Sequence, residues 1–216
     1  IKFRDGLVSG ERGKHYRIVG SAGSWDYDLT MESTGPPLIH DNDGLVDFQD
    51  AGISYYYSRP RLSVKGTLIV GDRIERVTGL GWMDKQWGDF QPIAVGWDWA
   101  SVQLHDGTDL MFSRLRNIQA KEVDLYATIR RSKAKVRRLG PTEFTFEQSN
   151  SGSSTLNHAL DSDNATWRIR IGTEGLDFEL EPVFNTPKFQ SSILGVAYSE
   201  VGVQARDANG RKIGQG

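Results

Sequence analysis

The sequence predicts an all-β protein built from antiparallel strands, and three observations support this fold class. Apolar and polar residues alternate with a period of two along most of the chain, as they do in half-buried strands. Turn motifs containing Gly and Asp recur at short intervals between these stretches. The sequence contains no clear helical pattern of ten residues or more. Frequent hairpins of this kind are typical of a β-barrel or a β-sandwich.

Five stretches show the alternation most clearly. They are residues 25–31, 62–70, 123–129, 167–171 and 176–180. Gly71-Asp72-Arg73 is expected to turn the second stretch back into a strand at 74–78. Residues 207–210 form a strong hairpin turn, and we expect the returning strand, 211–216, to be unfinished and to leave an open edge. Residues 32–50 and 149–166 are predicted to be long loops.

The segment 79–99 combines tryptophan and aspartate at unusual density. Its tryptophans are Trp82, Trp87, Trp97 and Trp99, and its aspartates are Asp84, Asp89 and Asp98. A buried Trp removes about 150–250 Å² from water, so the segment is either a packing centre or the wall of an apolar pocket. Carboxylates are rarely buried without a purpose, which favours the pocket wall.

The same segment contains a break at 88–96, which includes Pro92. We place a domain boundary there, with residues 1–92 as one β unit and residues 93–216 as a second. The tryptophans would then lie at the junction of the two units, a favoured position for a ligand site.

Composition excludes several classes of function. The net charge is −2, which gives no indication of a nucleic-acid partner, and the absence of Cys excludes disulfides and thiolate zinc sites. No apolar run approaches the length of about 18 residues needed for a membrane-spanning helix. There is no Gly-x-Ser-x-Gly elbow, phosphate-binding loop or dinucleotide fingerprint. No leader is visible, so the sequence leaves a cytoplasmic and an exported location equally open.

A hairpin is predicted to follow Gly96, with Asp106-Gly107 as a two-residue type I′ turn. That register puts Asp98 opposite Leu115 on a mostly apolar face. The other face would pair Trp97 with Arg116 and Trp99 with Arg114, each pair contributing about 0.5–1 kcal/mol by cation–π stacking. Desolvation raises the pKa of a carboxyl group, so a carboxyl on an apolar face can act as a general acid. The alternative role for Asp98 is a hydrogen bond to backbone amides at a barrel rim.

Other candidate sites have simpler explanations. The sequence His40-Asp41-Asn42-Asp43-Gly44 resembles a calcium loop but lacks the bidentate Glu, so we interpret it as a solvated loop. The four histidines have no metal-ligand spacing, and no metal is predicted. The arginines and lysines of 130–138 indicate a solvated hairpin end, with contact to a membrane surface or an anionic substrate as the alternative. At least one of Tyr55, Tyr56 and Tyr57 should face an interior.

Several of these motifs together resemble the lipocalin-like family of carotenoid 1,2-hydratases (hydroxyneurosporene synthases), also called AttH-like. The motifs are residues 55–62 (YYYSRPRL), 79–88 (GLGWMDKQWG), 96–99 (GWDW) and 106–111 (DGTDLM). The resemblance is strongest over residues 25–116. It implies two lipocalin-like β-barrel domains, with this chain starting partway through the first and stopping near the last strands of the second. An N-terminal segment of the same protein would then be missing from the sequence.

The resemblance also implies a reaction class. Family members hydrate the terminal double bond of acyclic carotenoids, and related lipocalin-like proteins catalyse pericyclic cyclisations, including Diels–Alder reactions. The hydratase pattern usually has His where this chain has Lys85. Because His exchanges protons near pH 7 and an ordinary Lys does not, hydration and cyclisation both stay open here.

We therefore predict a protein that binds an elongated polyene, isoprenoid or polyketide and transforms it without a cofactor. The alternative is a non-catalytic carrier of the same kind of ligand. Asp84 and Asp98 are the predicted acids, and Lys85 is a predicted polarising group. The predicted ligand-contacting residues are Trp82, Trp87, Trp97, Trp99, Tyr55, Tyr57 and Arg114.

Overall fold

A computed structural model describes residues 1–3, 6–11, 13–117, 119–132, 134–149, 165–185, 188–190 and 197–216. Within these ranges the chain is all-β, as predicted, and its helical residues form three single 3-10 turns, Gln49–Ala51, Pro92–Ala94 and Gly172–Glu174. The strands are β1 (Lys2–Phe3), β2 (Gly6–Glu11), β3 (His15–Ala22), β4 (Trp25–Glu32), β5 (Leu38–Ile39), β6 (Leu45–Asp47), β7 (Gly52–Val70), β8 (Arg73–Phe90), β9 (Val95–Leu104), β10 (Asp109–Asn117), β11 (Glu122–Arg130), β12 (Arg137–Leu139), β13 (Thr145–Gln148), β14 (Trp167–Ile171), β15 (Leu176–Pro182), β16 (Lys188–Gln190), β17 (Ala197–Ser199), β18 (Val203–Asp207) and β19 (Lys212–Gln215).

The chain divides into two compact units. The first contains Ile1–Leu38 and Tyr57–Lys85, and the second contains Ile39–Tyr56 and Gln86–Gly216. Strands β7 and β8 each contribute residues to both units. The segment Ile39–Tyr56 thus belongs to the same unit as the part of the chain that begins at Gln86, 30 positions after Tyr56.

The first unit is an antiparallel sheet in the order β1-β2-β3-β4-β7, with β8 also pairing with β7. Strand β4 pairs with β7 from Trp25 opposite Val70 to Glu32 opposite Ser63, so the predicted strands at 25–31 and 62–70 are confirmed. The turn at Gly71-Asp72 connects β7 to β8, also as predicted. Gly71 has φ +59°, a conformation that Gly adopts without steric cost.

The second unit contains a nine-stranded antiparallel sheet in the order β12-β11-β10-β9-β19-β18-β15-β14-β13. Its core consists of alternate residues from most of these strands, all of them apolar. Three phenylalanines lie at its centre: the ring of Phe112 is 5.7 Å from that of Phe144 and 5.4 Å from that of Phe146. The interior of this sheet is therefore filled by side chains.

The hairpin of β9 and β10 departs from its predicted register by one residue. The connection has three residues, 105–107, because the amide of Leu104 bonds to the carbonyl of Thr108. Gly107 occupies the left-handed region at φ +90°, as three-residue hairpin loops require. Consequently Asp98 lies opposite Arg114 rather than Leu115, Trp97 lies opposite Leu115 rather than Arg116, and Trp99 lies opposite Ser113 rather than Arg114.

Two other expectations are revised. The predicted loop 32–50 contains strands β5 and β6 and a 3-10 turn. Residues 211–216 include β19, which pairs with β18 on one side and with β9 on the other, so this segment is not an open edge. Most of the predicted loop 149–166 falls at 150–164, outside the described residues.

Candidate functional site

In the first unit, Asp84 is held by two neutral hydrogen-bond donors. The hydroxyl of Ser58 and the indole Nε1 of Trp82 both donate to Oδ1 of Asp84, the second over 2.9 Å. Ser58 is fully buried on β7, whereas Asp84 and Lys85 are exposed on β8. Trp82 and Asp84 are two residues apart, so the period of the strand puts them on one face. The sequence-predicted acid Asp84 and wall residue Trp82 are thus in contact.

In the second unit, Asp98 lies on the core face, as predicted, because it alternates with Ala100 and Val102. The carboxylate of Asp98 accepts hydrogen bonds from two guanidinium groups: Nη1 of Arg114 lies 3.5 Å from Oδ2, and Nη2 of Arg116 donates to the same oxygen. A carboxylate paired with two cations is held by charge-assisted bonds. Asp98 therefore has the environment of a structural ion pair.

Arg114 does not stack on a tryptophan. Its guanidinium lies over the ring of Phe146 at 5.6 Å from the centroid, and its Nε is 3.2 Å from Oε2 of Glu122. The expected Trp–Arg cation–π pairs of the hairpin are therefore wrong, because the three-residue loop shifts the pairing of β9 with β10 by one residue. Arg114 thus contacts Phe146 of the apolar core, and its contact with a ligand stays a prediction.

The remaining aromatic candidates occupy different environments. Trp87 and Trp97 are 41% and 39% exposed, so neither is a packing centre. The ring of Tyr55 stacks on that of Trp87 at 5.5 Å, and Tyr55 is itself exposed. Tyr56 is buried, which confirms that one of the three tyrosines faces an interior. In the first unit, the guanidinium of Arg59 lies 5.7 Å from the ring centroid of Tyr57.

His40, in the second unit, is fully buried, although the sequence predicted that it lies in a solvated loop. Its Nδ1 is 2.9 Å from Oγ1 of Thr128, and its ring centroid is 4.2 Å from that of Tyr56. Burial lowers the pKa of His40 to about 3, so the imidazole is neutral across the physiological range. The interpretation of residues 40–44 as a solvated loop is wrong at His40, since the ring packs onto strand β11.

The face of β9, β10 and β11 that His40 contacts is buried although, beside Met111 and Tyr126, it carries many polar residues. Its buried polar residues are Ser101, Gln103, Asp109, Ser113, Thr128 and Arg130. Nη2 of Arg130 is 2.9 Å from Oδ2 of Asp109. The alternation at 123–129 predicted a half-buried strand with its polar side in water, and only the apolar half of that prediction is confirmed. The available signal for this layer was the buried Met111, which alternates with the polar residues Asp109 and Ser113 on β10.

A second charged group on this layer involves Asp41. Arg138 forms ion pairs with Asp41 and, over 3.3 Å, with Asp124, while its guanidinium lies 5.1 Å from the ring centroid of Tyr126. Burial raises the pKa of Asp124, against the opposing effect of Arg138. Burial likewise raises the pKa of the Tyr126 hydroxyl. Asp41 therefore serves as an ion-pair partner.

The basic stretch after β11 is largely paired. Arg131 and Arg137 both bind Glu174, and the hydrogen bond from Arg131 is the main cause that lowers the pKa of Glu174. Arg130 is buried against Asp109. The prediction of a solvated hairpin end is therefore wrong at Arg130, which is buried, whereas Arg137 is exposed as well as paired.

Within the described ranges, no group of three or more His, Cys, Asp or Glu side chains is arranged to hold a metal ion. A surface depression of about 560 Å³ in the first unit is lined by residues 13–15 and 32–35, none of which belongs to the predicted site. The part of the chain that the structure describes has no helix long and apolar enough to cross a membrane.

Comparison with known proteins identifies the family. Two solved structures match the whole chain: an AttH-type protein of Nitrosomonas europaea (24% identity, TM-score 0.81, 68% of that chain covered) and kievitone hydratase of Nectria haematococca (17% identity, TM-score 0.70, 67% covered). At these identities they show a shared fold. No curated protein matches the sequence. The AttH-like family model matches residues 3–216, and the chain therefore belongs to the AttH-like family.

Proposed function

We propose that this protein binds an elongated hydrophobic small molecule and adds water across one of its C=C bonds without a cofactor. The observation that carries the proposal is the environment of Asp84, whose Oδ1 is fixed by Ser58 and by Trp82. Membership of the AttH-like family and the structural similarity to a hydratase support it. The chemistry requires a proton donor, an aromatic face and water.

The reaction would use one carboxyl group for both proton transfers. Asp84 donates a proton to one alkene carbon, which leaves a cation on the neighbouring carbon. The face of Trp82 stabilises this cation, because an aromatic ring attracts positive charge. Water then adds to the cation, and the carboxylate of Asp84 takes up the proton that the water releases. The product is an alcohol, and Asp84 returns to its protonated form.

Asp84 suits this role better than Asp98. Asp84 accepts hydrogen bonds from the hydroxyl of Ser58 and the indole of Trp82, whereas Asp98 is paired with Arg114 and Arg116. The carboxylate of Asp98 is held in place by these two charge-assisted bonds. We therefore assign the proton transfers to Asp84 and a stabilising role to Asp98. Lys85 is exposed next to Asp84, and its polarising role stays a prediction.

The test measures hydration directly. The purified protein is incubated with kievitone, the compound in the name of the structural relative, and separately with an acyclic carotenoid. Mass spectrometry then detects a product heavier by one water. Asp84→Asn should lower turnover by about 10²–10⁴-fold, the usual contribution of general acid–base catalysis. Tryptophan fluorescence should show that ligand affinity changes far less than turnover.

Asp89→Asn is the matched control, because Asp89 is another exposed aspartate of β8 and has no assigned role. This variant should keep the wild-type rate. Binding without any product in the wild type would indicate a carrier and would contradict the catalytic half of the proposal. A product of unchanged mass would indicate cyclisation and would contradict hydration.

A further inference from the structure

The second unit contains a line of contacts that ends at one of the predicted ligand-contacting tryptophans. The indole Nε1 of Trp99 donates a hydrogen bond to Oη of Tyr56 over 2.9 Å. The ring of Tyr56 packs against His40 at a centroid distance of 4.2 Å and an interplanar angle of 38°. Nδ1 of His40 lies 2.9 Å from the hydroxyl of Thr128 on β11. Trp99, on β9, is thus linked through Tyr56 and His40 to strand β11 of the same sheet.

The side chains along this line become more exposed towards Trp99. Thr128, His40 and Tyr56 are buried, whereas Trp99 is half-buried. Side chains packed at interior density hold one rotamer, so the three buried members form a rigid base. Trp99 is the member whose ring can also meet a molecule from solvent. Rigid support for a binding residue is what precise ligand recognition requires.

The backbone around His40 is fixed to the same tyrosine. The amide of Gly44 donates to the carbonyl of His40 over 2.7 Å, and the amide of Tyr56 donates to the carbonyl of Gly44 over 2.8 Å. Between them, Asp41 and Asn42 have φ of +47° and +66°. Non-glycine residues are strained in this region, so the surrounding contacts must maintain the turn. The turn holds the His40 ring against Tyr56.

The protonation state of His40 suits a fixed support. A neutral imidazole keeps one hydrogen-bonding pattern, and burial holds this ring neutral well below pH 6. The ring therefore offers Tyr56 and Thr128 the same partner at any physiological pH. A proton-transfer role for His40 would need a ring that changes charge near neutrality.

We propose that His40 is a positioning residue, which acts through Tyr56 to set the orientation of the Trp99 indole for an apolar ligand. The ligand class is that of the proposed function, an elongated hydrophobic small molecule such as a polyene, and the proposal depends on that function only for the ligand. The orientation of Trp99 can be measured without any substrate.

The experiment follows the six tryptophan indole N–H signals by ¹⁵N NMR in the full chain. Tyr56→Phe removes the acceptor of the Trp99 bond and identifies the Trp99 signal by the largest shift. His40→Phe keeps a ring but loses Nδ1, and Thr128→Val removes the same hydrogen bond from its other end. Both variants should move the Trp99 signal in the same direction. Each should weaken binding of an acyclic carotenoid by about 3–10-fold, the equivalent of one neutral hydrogen bond.

Tyr55→Phe is the matched control, because Tyr55 adjoins Tyr56 but stacks on Trp87 instead. It should leave the Trp99 signal in place. If His40→Phe and Thr128→Val lower the melting temperature without moving that signal, His40 is merely structural and the proposal is overturned. If the signal moves but no carotenoid or kievitone binds even to the wild type, the proposed function fails while the positioning of Trp99 stands.

Discussion

Strands β9, β10 and β11 of the second unit bury both faces, and the two faces differ in chemistry. One face contributes Val102, Phe112 and Ala127 to the apolar core. The other presents Asp109, Thr128 and neighbouring polar residues, which are equally buried. The apolar face is stabilised by the area it removes from water, without regard to direction. The polar face is stable only where each polar group has a hydrogen-bond partner in the right geometry. These directional bonds therefore fix the positions of side chains more narrowly than apolar packing does.

The strongest way to break the apolar face is Phe112→Ala. The ring of Phe112 is fully buried between Phe144 and Phe146, so its removal leaves a cavity. We expect the free energy of unfolding to fall by about 3–5 kcal/mol, measured by urea denaturation. Ile93→Ala is the control, because Ile93 is largely exposed, and it should change stability by less than about 0.5 kcal/mol. Equal effects at both positions would contradict the assigned core.

The polar face should be broken by Arg130→Met. The substitution leaves the buried carboxylate of Asp109 without its guanidinium partner at 2.9 Å, which should cost about 3–5 kcal/mol of unfolding free energy. The double variant Asp109→Leu/Arg130→Met removes both charges and should recover most of that loss. A single variant as stable as the wild type would show that this face does not depend on matched partners.

The free energy of unfolding should also change gradually with pH, by less than in the two substitutions above. The unfolded chain binds a proton at His40 near pH 6.5, whereas the folded protein binds it only near pH 3. Unfolding therefore takes up a proton between these values, so this contribution to stability is complete above about pH 6.5 and is lost as pH falls. The expected slope is about 1.4 kcal/mol per pH unit. Urea denaturation of wild type and His40→Phe between pH 7 and 4 should show a shallower loss in the variant.

The period of two in the sequence was sufficient to predict the strands, but not what covers them. Alternation identified β4, β11, β14 and β15 because each has at least one apolar face. It could not show that the polar face of β11 is buried, since His40 lies 88 positions before Thr128. The hairpin register failed because the motif Asp106-Gly107 fits a two-residue and a three-residue loop alike, and one residue changes every cross-strand pair.

In the candidate site, the sequence predicted only the contacts between residues that are close together in the chain. Trp82 and Asp84 are two residues apart on one strand, so their contact could be expected from the sequence. Ser58 lies 26 positions away, and nothing in the local pattern indicates its bond to Asp84. The sequence correctly predicted the face of β9 on which Asp98 lies. Its partners Arg114 and Arg116 could not be predicted, because they depend on the register of the hairpin.

The pairing of β9 with β19 has a consequence for the order of events during synthesis. Leu104 and Gly214 are opposite each other in the sheet but 110 positions apart in the chain. At a translation rate of about 5–20 residues per second, the free edge of β9 waits roughly 5–20 s before its partner exists. During that time the edge can pair with other nascent chains. Crowded expression should therefore favour aggregation before completion, and slower initiation, which spaces the ribosomes, should improve the yield of folded protein.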